Sequence, residues 1–309
     1  MRHQRVIISA SRRTDIPRYY AKWFAARRAA GLAAFRTAFG TPGTVSLAPD
    51  DVVAYLFWTR HLGAFRDQIR AIRGEGTPVA VQFTITGYPR RLEPHAPGLA
   101  AALRDFCRTS AELADARAIQ WRYDPIVLAD DLDRGTHERT FTAIARTLHG
   151  ATRVVNTSVV EPYLRTIRRL GDPSAAVRAP DPSRHRAVAQ RYPHLRVWGE
   201  EGRDLLRTLA QIAAEHEMEL RACCNPELGL PPSTCCGVEL FRGYGEAVAD
   251  DIAAIRRAPS RPDCRCVSVV DIGMDETCIA GCRYCYAVRS QETALRSFRR
   301  LDLTASSLR

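Results

Sequence analysis

Apolar runs of strand length recur along this chain, and helical stretches separate most of them. The runs fall at residues 6–10, 33–38, 53–58, 79–85, 118–122, 153–157, 219–222 and 267–272. Stretches at 18–30, 62–73, 99–114, 137–149, 161–170, 203–216 and 292–301 read as helices. Strands separated by helices pair in parallel through crossovers. Eight such units predict an α/β fold closed as a (β/α)8, TIM-like barrel; a doubly wound open sheet is the alternative. The unit around 45–51 is short, so one connection lacks a full helix. The 309 residues show neither an internal repeat nor a flexible linker, and one domain, 1–309, is expected.

Two stretches break the alternation. Residues 172–193, rich in Pro, Asp, Arg and His, read as a loop with a short helix. Residues 223–266 carry six cysteines and the turn-forming run 226–232. They read as an irregular insertion before the last strand, held by metal rather than by a core.

The cysteines carry the chemistry. Cys278-Ile279-Ala280-Gly281-Cys282-Arg283-Tyr284-Cys285 has C-x3-C-x2-C spacing, which lets three thiolates converge on one soft metal centre. Three protein thiolates on a four-iron cluster leave one iron open. Zinc is the competing occupant, but its knuckles use paired C-x2-C or Cys/His sets. The spacing therefore points to a [4Fe-4S] cluster on Cys278, Cys282 and Cys285. Adjacent cysteines point in different directions, so one of each Cys-Cys pair is expected to ligate. Cys223, Cys235, Cys264 and Cys266 then form a second centre, for either an iron–sulfur cluster or zinc. Cys107, on an apolar helical stretch, reads as a buried core thiol.

Polar residues follow the strands. Ser11-Arg12-Arg13-Thr14-Asp15, Trp58-Thr59-Arg60-His61, Thr84-Ile85-Thr86-Gly87-Tyr88, Arg122-Tyr123-Asp124 and Asn156-Thr157-Ser158 each sit where a parallel fold builds its site. Arg122 and Asp124 alternate in phase and share a face, with Tyr123 opposed. Asp15 before Ile16-Pro17 has the form of a helix cap. His137 and His95 read as exposed or capping residues more readily than as catalytic ones. There is no Gly-x-Ser-x-Gly elbow, P-loop or Gly-x-Gly-x-x-Gly, which removes support for ordinary hydrolase, nucleotide or nicotinamide chemistry. The net charge of +11, almost all from arginine, admits an anionic partner such as nucleic acid. No apolar run approaches ~18 residues, so no membrane span is expected. Ten cysteines without an export signal point to a reducing cytoplasm.

The segments 8–17, 57–60, 82–88, 121–126 and 264–287 together resemble the bacterial family called domain of unknown function 1848. The C-x3-C-x2-C run, with an aromatic residue before its third cysteine, is similar to the cluster motif of radical S-adenosylmethionine (SAM) enzymes. Gly281 to Tyr286 is also similar to the motif of spore photoproduct lyase. The resemblance implies reductive cleavage of SAM to a 5′-deoxyadenosyl radical that acts on an unknown substrate. An electron donor such as ferredoxin or flavodoxin would be required. In radical SAM enzymes the motif follows the first strand; here it follows the last, which implies a circularly permuted barrel with the last strand beside the first. Arg12, Arg13 and Asp15 would then hold SAM's methionine, with Arg122 and Asp124 across the cavity. The alternative is a non-catalytic iron–sulfur or zinc protein in electron transfer or nucleic-acid binding.

Overall fold

The structure is a computed structural model. It describes residues 5–37, 40–113, 115–129, 131–160, 166, 199–258 and 263–309. Thr166 apart, the expected helix at 161–170 and the loop at 172–193 lie outside them.

A seven-stranded parallel sheet forms the frame. In chain order the strands are β1 (Val6–Ala10), β2 (Leu32–Arg36), β3 (Pro42–Ser46), β4 (Val52–Thr59), β5 (Val79–Thr84), β6 (Ile119–Arg122), β7 (Val154–Thr157), β8 (Glu219–Ala222) and β9 (Val270–Asp271). The sheet runs β8-β7-β6-β5-β4-β1-β9. The expected pairing of the last strand with the first is present, Ile8 opposite Val270 and Ser9 opposite Asp271, in parallel.

Among the described residues the sheet is open, and the expected closed eight-strand barrel is not seen. Among these residues β8 and β9 are its two edges. The expected second strand leaves the sheet and pairs antiparallel with β3. Only residues 37–41 join the two, and so short a connection cannot make the crossover that parallel pairing needs.

The helices are α1 (Ile16–Tyr19), α2 (Ala21–Ala29), α3 (Arg66–Gly74), α4 (Leu99–Leu113), α5 (Arg134–Leu148), α6 (Glu200–Glu215), α7 (Glu246–Ala254) and α8 (Gln291–Arg299). Alternate strand residues serve opposite faces of the sheet. Tyr55, Phe57, Val81, Phe83, Ile119, Trp121 and Val155 share one core with Phe24, Ile69, Ile72, Phe106, Phe141, Ile144 and Leu205 of the helices. Ile7, Ala54, Leu56 and Ala80, in opposite phase, pack with Leu240, Phe241, Ile252 and Ile255.

That second core corrects the reading of residues 223–266. The insertion has apolar anchors of its own, on α7 and on the 3-10 helix Val238–Tyr244. Leu240, Phe241 and Ile252 are fully buried, and each such side chain contributes about 1.5–3 kcal/mol on burial. The insertion covers the sheet face that a closed barrel would turn inward.

Cys107 is only half-buried, its Sγ directed at the Thr147 carbonyl at 3.6 Å. His137 is buried, contrary to a surface role. Its Nδ1 accepts from Tyr123 Oη at 2.8 Å and its Nε2 donates to the Val127 carbonyl at 3.0 Å. Burial lowers its pKa below the usual 6.5. Unfolding therefore takes up a proton below that pH. Stability is expected to hold above about pH 6.5 and to fall by up to about 1.4 kcal/mol per unit below it. Urea midpoints at pH 7.5 and 5.5 should differ less in a His137→Gln variant than in the parent chain.

Candidate metal and substrate site

In a parallel sheet every strand delivers its C-terminal residues to one edge, where sites are built. The β9 and β1 ends are stitched together first. Asp271 accepts from Ser11 Oγ at 2.5 Å and from the Arg12 N–H at 3.1 Å. A Cβ on Gly273 would meet Ser11 Oγ at 1.8 Å, so only glycine permits this approach. Arg13 is almost buried; it donates to the carbonyls of Arg36, at 2.7 Å, and Gly273, and pairs with Asp271 and Asp275. Thr14 Oγ1 lies 2.5 Å from Thr277 Oγ1, and Tyr20 Oη donates to the Thr277 carbonyl at 2.6 Å.

Asp15 is a cap, as its Ile-Pro context suggested, and more. One carboxylate oxygen accepts from Arg18 N–H at 3.1 Å and Thr59 Oγ1 at 2.7 Å; the other accepts from Arg60 N–H at 3.1 Å. Burial nevertheless raises its pKa. Burial raises the pKa of the Cys278 thiol, and the backbone of Asp15 and of Ala280 works against that rise. Through the Thr14–Thr277 pair the loop after β1 directly contacts the entry to the thiol motif. Arg13 and Asp15 spend their side chains on this junction.

The other side of the motif is held by a network that sequence reasoning did not assemble. Arg60 donates two parallel hydrogen bonds to Glu93, at 3.0 and 2.9 Å, and a third to Tyr284 Oη at 2.5 Å. Tyr284 Oη donates to Glu93, and Thr86 Oγ1 donates to it at 2.7 Å. Glu93 is 2% exposed. Arg60 follows a strand run and Tyr284 lies within the cysteine motif, but nothing near Glu93 in sequence marks it as their partner. Gly281, at φ +74°, turns the chain between Cys278 and Cys282. Glu276 accepts from the N–H groups of Arg289 and Ser290, and Gln291 Nε2 donates to the Ile279 carbonyl at 2.9 Å, closing the loop. Burial pushes the Cys278 thiol up, and Cys282 up to about 11. Without metal these are protonated thiols, and ligation must release their protons.

Farther along the edge, Arg122 pairs with Asp124 on one face, as alternation required, while Asp124 also accepts from Ser158 Oγ. The Arg122 guanidinium lies 4.9 Å over the Trp58 ring, and its Nη1 donates to Cys235 Sγ at 3.6 Å. Cys235 stands 3.9 Å, sulfur to sulfur, from Cys223, and Cys223 the same from Cys224. Cys266 lies within electrostatic reach of Cys235. The neighbouring Cys223 and Cys266 hold the Cys235 thiol well below its ordinary pKa. Cys264 lies within electrostatic reach of Cys266. Cys236 instead joins the apolar core of the insertion, where burial pushes it up to about 12. Arg12 is within electrostatic reach of Asp271, Tyr286, Cys266 and Cys235, and Tyr286 of Arg12, Cys285 and Arg122. The two thiol groups thus occupy one edge, with Arg12, Arg122 and Tyr286 between them. Among the described residues no three His, Cys, Asp or Glu side chains stand ready around one point to hold a metal ion.

An open parallel α/β sheet with a cysteine-lined edge is the class these features define. The family model described as domain of unknown function (DUF1848) matches residues 7–287, and the chain belongs to that family. No curated protein and no solved structure matches it. Among the described residues no helix is long and apolar enough to cross a membrane.

Proposed function

We propose that the chain is an iron–sulfur enzyme of radical SAM type, with Cys278, Cys282 and Cys285 as ligands of a [4Fe-4S] cluster. The hydrogen bonds of Thr14 and Tyr20 to Thr277, the residue before Cys278, carry this reading. They set the motif against the loop of the neighbouring strand, at the edge where parallel sheets bind ligands. Three soft thiolates with no fourth in the motif suit a cluster that keeps one iron open.

The surrounding donors fit a bound SAM. Among the described residues, Arg18 Nη1 and Tyr19 Oη are buried without a hydrogen-bond partner. Tyr19 lies within electrostatic reach of Cys278 and Cys282, and the Arg18 guanidinium sits 4.9 Å over its ring. Buried donors without partners call for an acceptor, and a guanidinium suits a carboxylate such as that of SAM's methionine. Arg18 therefore takes the role expected of Arg13, whose donors are spent. When bound, the cluster supplies the electron that cleaves SAM, drawn from a cytoplasmic donor such as ferredoxin or flavodoxin. Arg12, Arg122 and Asp124 orient the substrate on the side facing Tyr286.

Anaerobic reconstitution followed by strong reductant should release 5′-deoxyadenosine from SAM. Arg18→Ala should keep the iron content and weaken SAM binding roughly tenfold, about 1.4 kcal/mol, by equilibrium dialysis. A full cluster with no 5′-deoxyadenosine would favour an electron carrier instead.

A further inference from the structure

The second thiol group is assembled by the fold from three separate segments. Cys223 follows β8 and its N–H donates to the Thr157 carbonyl at 2.8 Å, fixing it to the end of β7. The chain then turns back, and Ser233 N–H donates to the Ala222 carbonyl at 2.8 Å, which brings Cys235 beside it. The segment before β9 is tied in by Val267 N–H on the Cys236 carbonyl at 3.1 Å. Gln82 Nε2 donates to the Cys235 carbonyl at 2.9 Å, and Ser233 Oγ donates to Asn156 at 2.6 Å. Cys235 is thus pinned to the sheet interior.

We propose that Cys223, Cys235 and Cys266, joined by Cys224, hold a single tetrahedral zinc ion. Spacing decides between zinc and a second cubane. Four sulfurs on one zinc, with bonds of ~2.3 Å, stand about 3.8 Å apart. The Cys223–Cys235 and Cys223–Cys224 separations are both 3.9 Å. A cubane places each thiolate on a different iron and spreads them farther. The Cys223–Cys224 contact puts both members of that pair at the site, and the proposal takes Cys224 as the fourth donor.

The surroundings suit thiolates. Val267 N–H on the Cys236 carbonyl holds Cys266 next to the Cys235–Cys236 pair. Ser233 Oγ lies 3.3 Å and Arg122 Nη1 3.6 Å from Cys235 Sγ. Such outer partners orient and neutralise metal-bound sulfur. The sulfurs now run in a chain, so closure takes side-chain rotation at Cys224 and Cys266, and the thiol protons leave to solvent as Zn²⁺ binds. A site with four thiolates has no open position, which assigns it to architecture. It locks the segment before β9 to the end of β8.

The test is metal analysis of anaerobically purified protein. The Cys278→Ala/Cys282→Ala/Cys285→Ala variant should keep about one zinc per chain, with a first shell of four sulfurs at ~2.3 Å by X-ray absorption. Cys264→Ser should keep it too, and Cys235→Ser should hold less than about a tenth of it. Should Cys235→Ser fail to fold, the first shell of the triple variant decides. Iron and sulfide in place of zinc in the triple variant, nitrogen or oxygen donors in the shell, or zinc retained by folded Cys235→Ser would each overturn the proposal. Because the triple variant carries no radical SAM ligands, these outcomes leave the function proposed above untouched.

Discussion

Replacing Glu93 with leucine is expected to destabilise the protein by about 3–5 kcal/mol, the cost of stranding one member of a buried ion pair. Arg60 is held at 3.0 and 2.9 Å by the two Glu93 oxygens, and neither side chain has more than 11% of its surface exposed. Without Glu93 the guanidinium keeps its charge in an apolar setting, and Thr86 and Tyr284 lose their acceptor as well. The double variant Arg60→Met/Glu93→Leu should recover most of the loss, since two apolar groups need no partners. Urea unfolding of the metal-free chain measures both. A Glu93→Leu cost below about 1 kcal/mol would mean that the pair is solvated. The same variant should loosen the motif, because Tyr284 lies between Cys282 and Cys285 and its hydroxyl is fixed only through this network among the described residues.

Removing the three motif thiols is the second large effect. Cys278→Ala/Cys282→Ala/Cys285→Ala should lower iron by roughly four atoms per chain after anaerobic reconstitution, the content of one cubane. Acid-labile sulfide should fall in step. The thiols line a loop whose frame rests on Glu276, Gln291 and the Thr14–Thr277 contact rather than on metal. The apo variant should therefore stay folded, with an unchanged far-ultraviolet circular dichroism spectrum. Unchanged iron in the variant, or stoichiometric zinc in place of iron in the parent's motif, would remove the cluster assignment.

The parallel strands were legible because period-two apolar runs alternating with amphipathic helices have few solutions. The run 53–58 is apolar on both faces, the mark of a sheet buried on both sides. The β1–β9 contact was legible too, but only through the motif's place after the last strand. What the sequence hid was anything decided by packing at a distance. Leu240, Phe241 and Ile252 look like scattered apolar residues in a cysteine-rich stretch until the second sheet face is seen to lack a cover. Glu93 pairs with Arg60 across 33 residues, and no local pattern encodes that. Arg13 and Asp15 looked like ligand binders because their charge is visible in sequence, whereas the carbonyls and N–H groups that occupy them are not.

The pairing of β1 with β9 also sets an order of events. Ser11 and Asp271, which join the two halves of the thiol site, are 260 residues apart in the chain. Synthesis delivers the β1 half early and the cysteine half late, so no fragment emerging from the ribosome carries the complete pocket. Loading of the proposed cluster would thereby be confined to molecules whose sheet has already been assembled. If the thiols hold the proposed cluster, a chain that stalls or misfolds before residue 271 would offer no competent pocket to the iron supply, and the fold itself would act as the checkpoint for metal delivery.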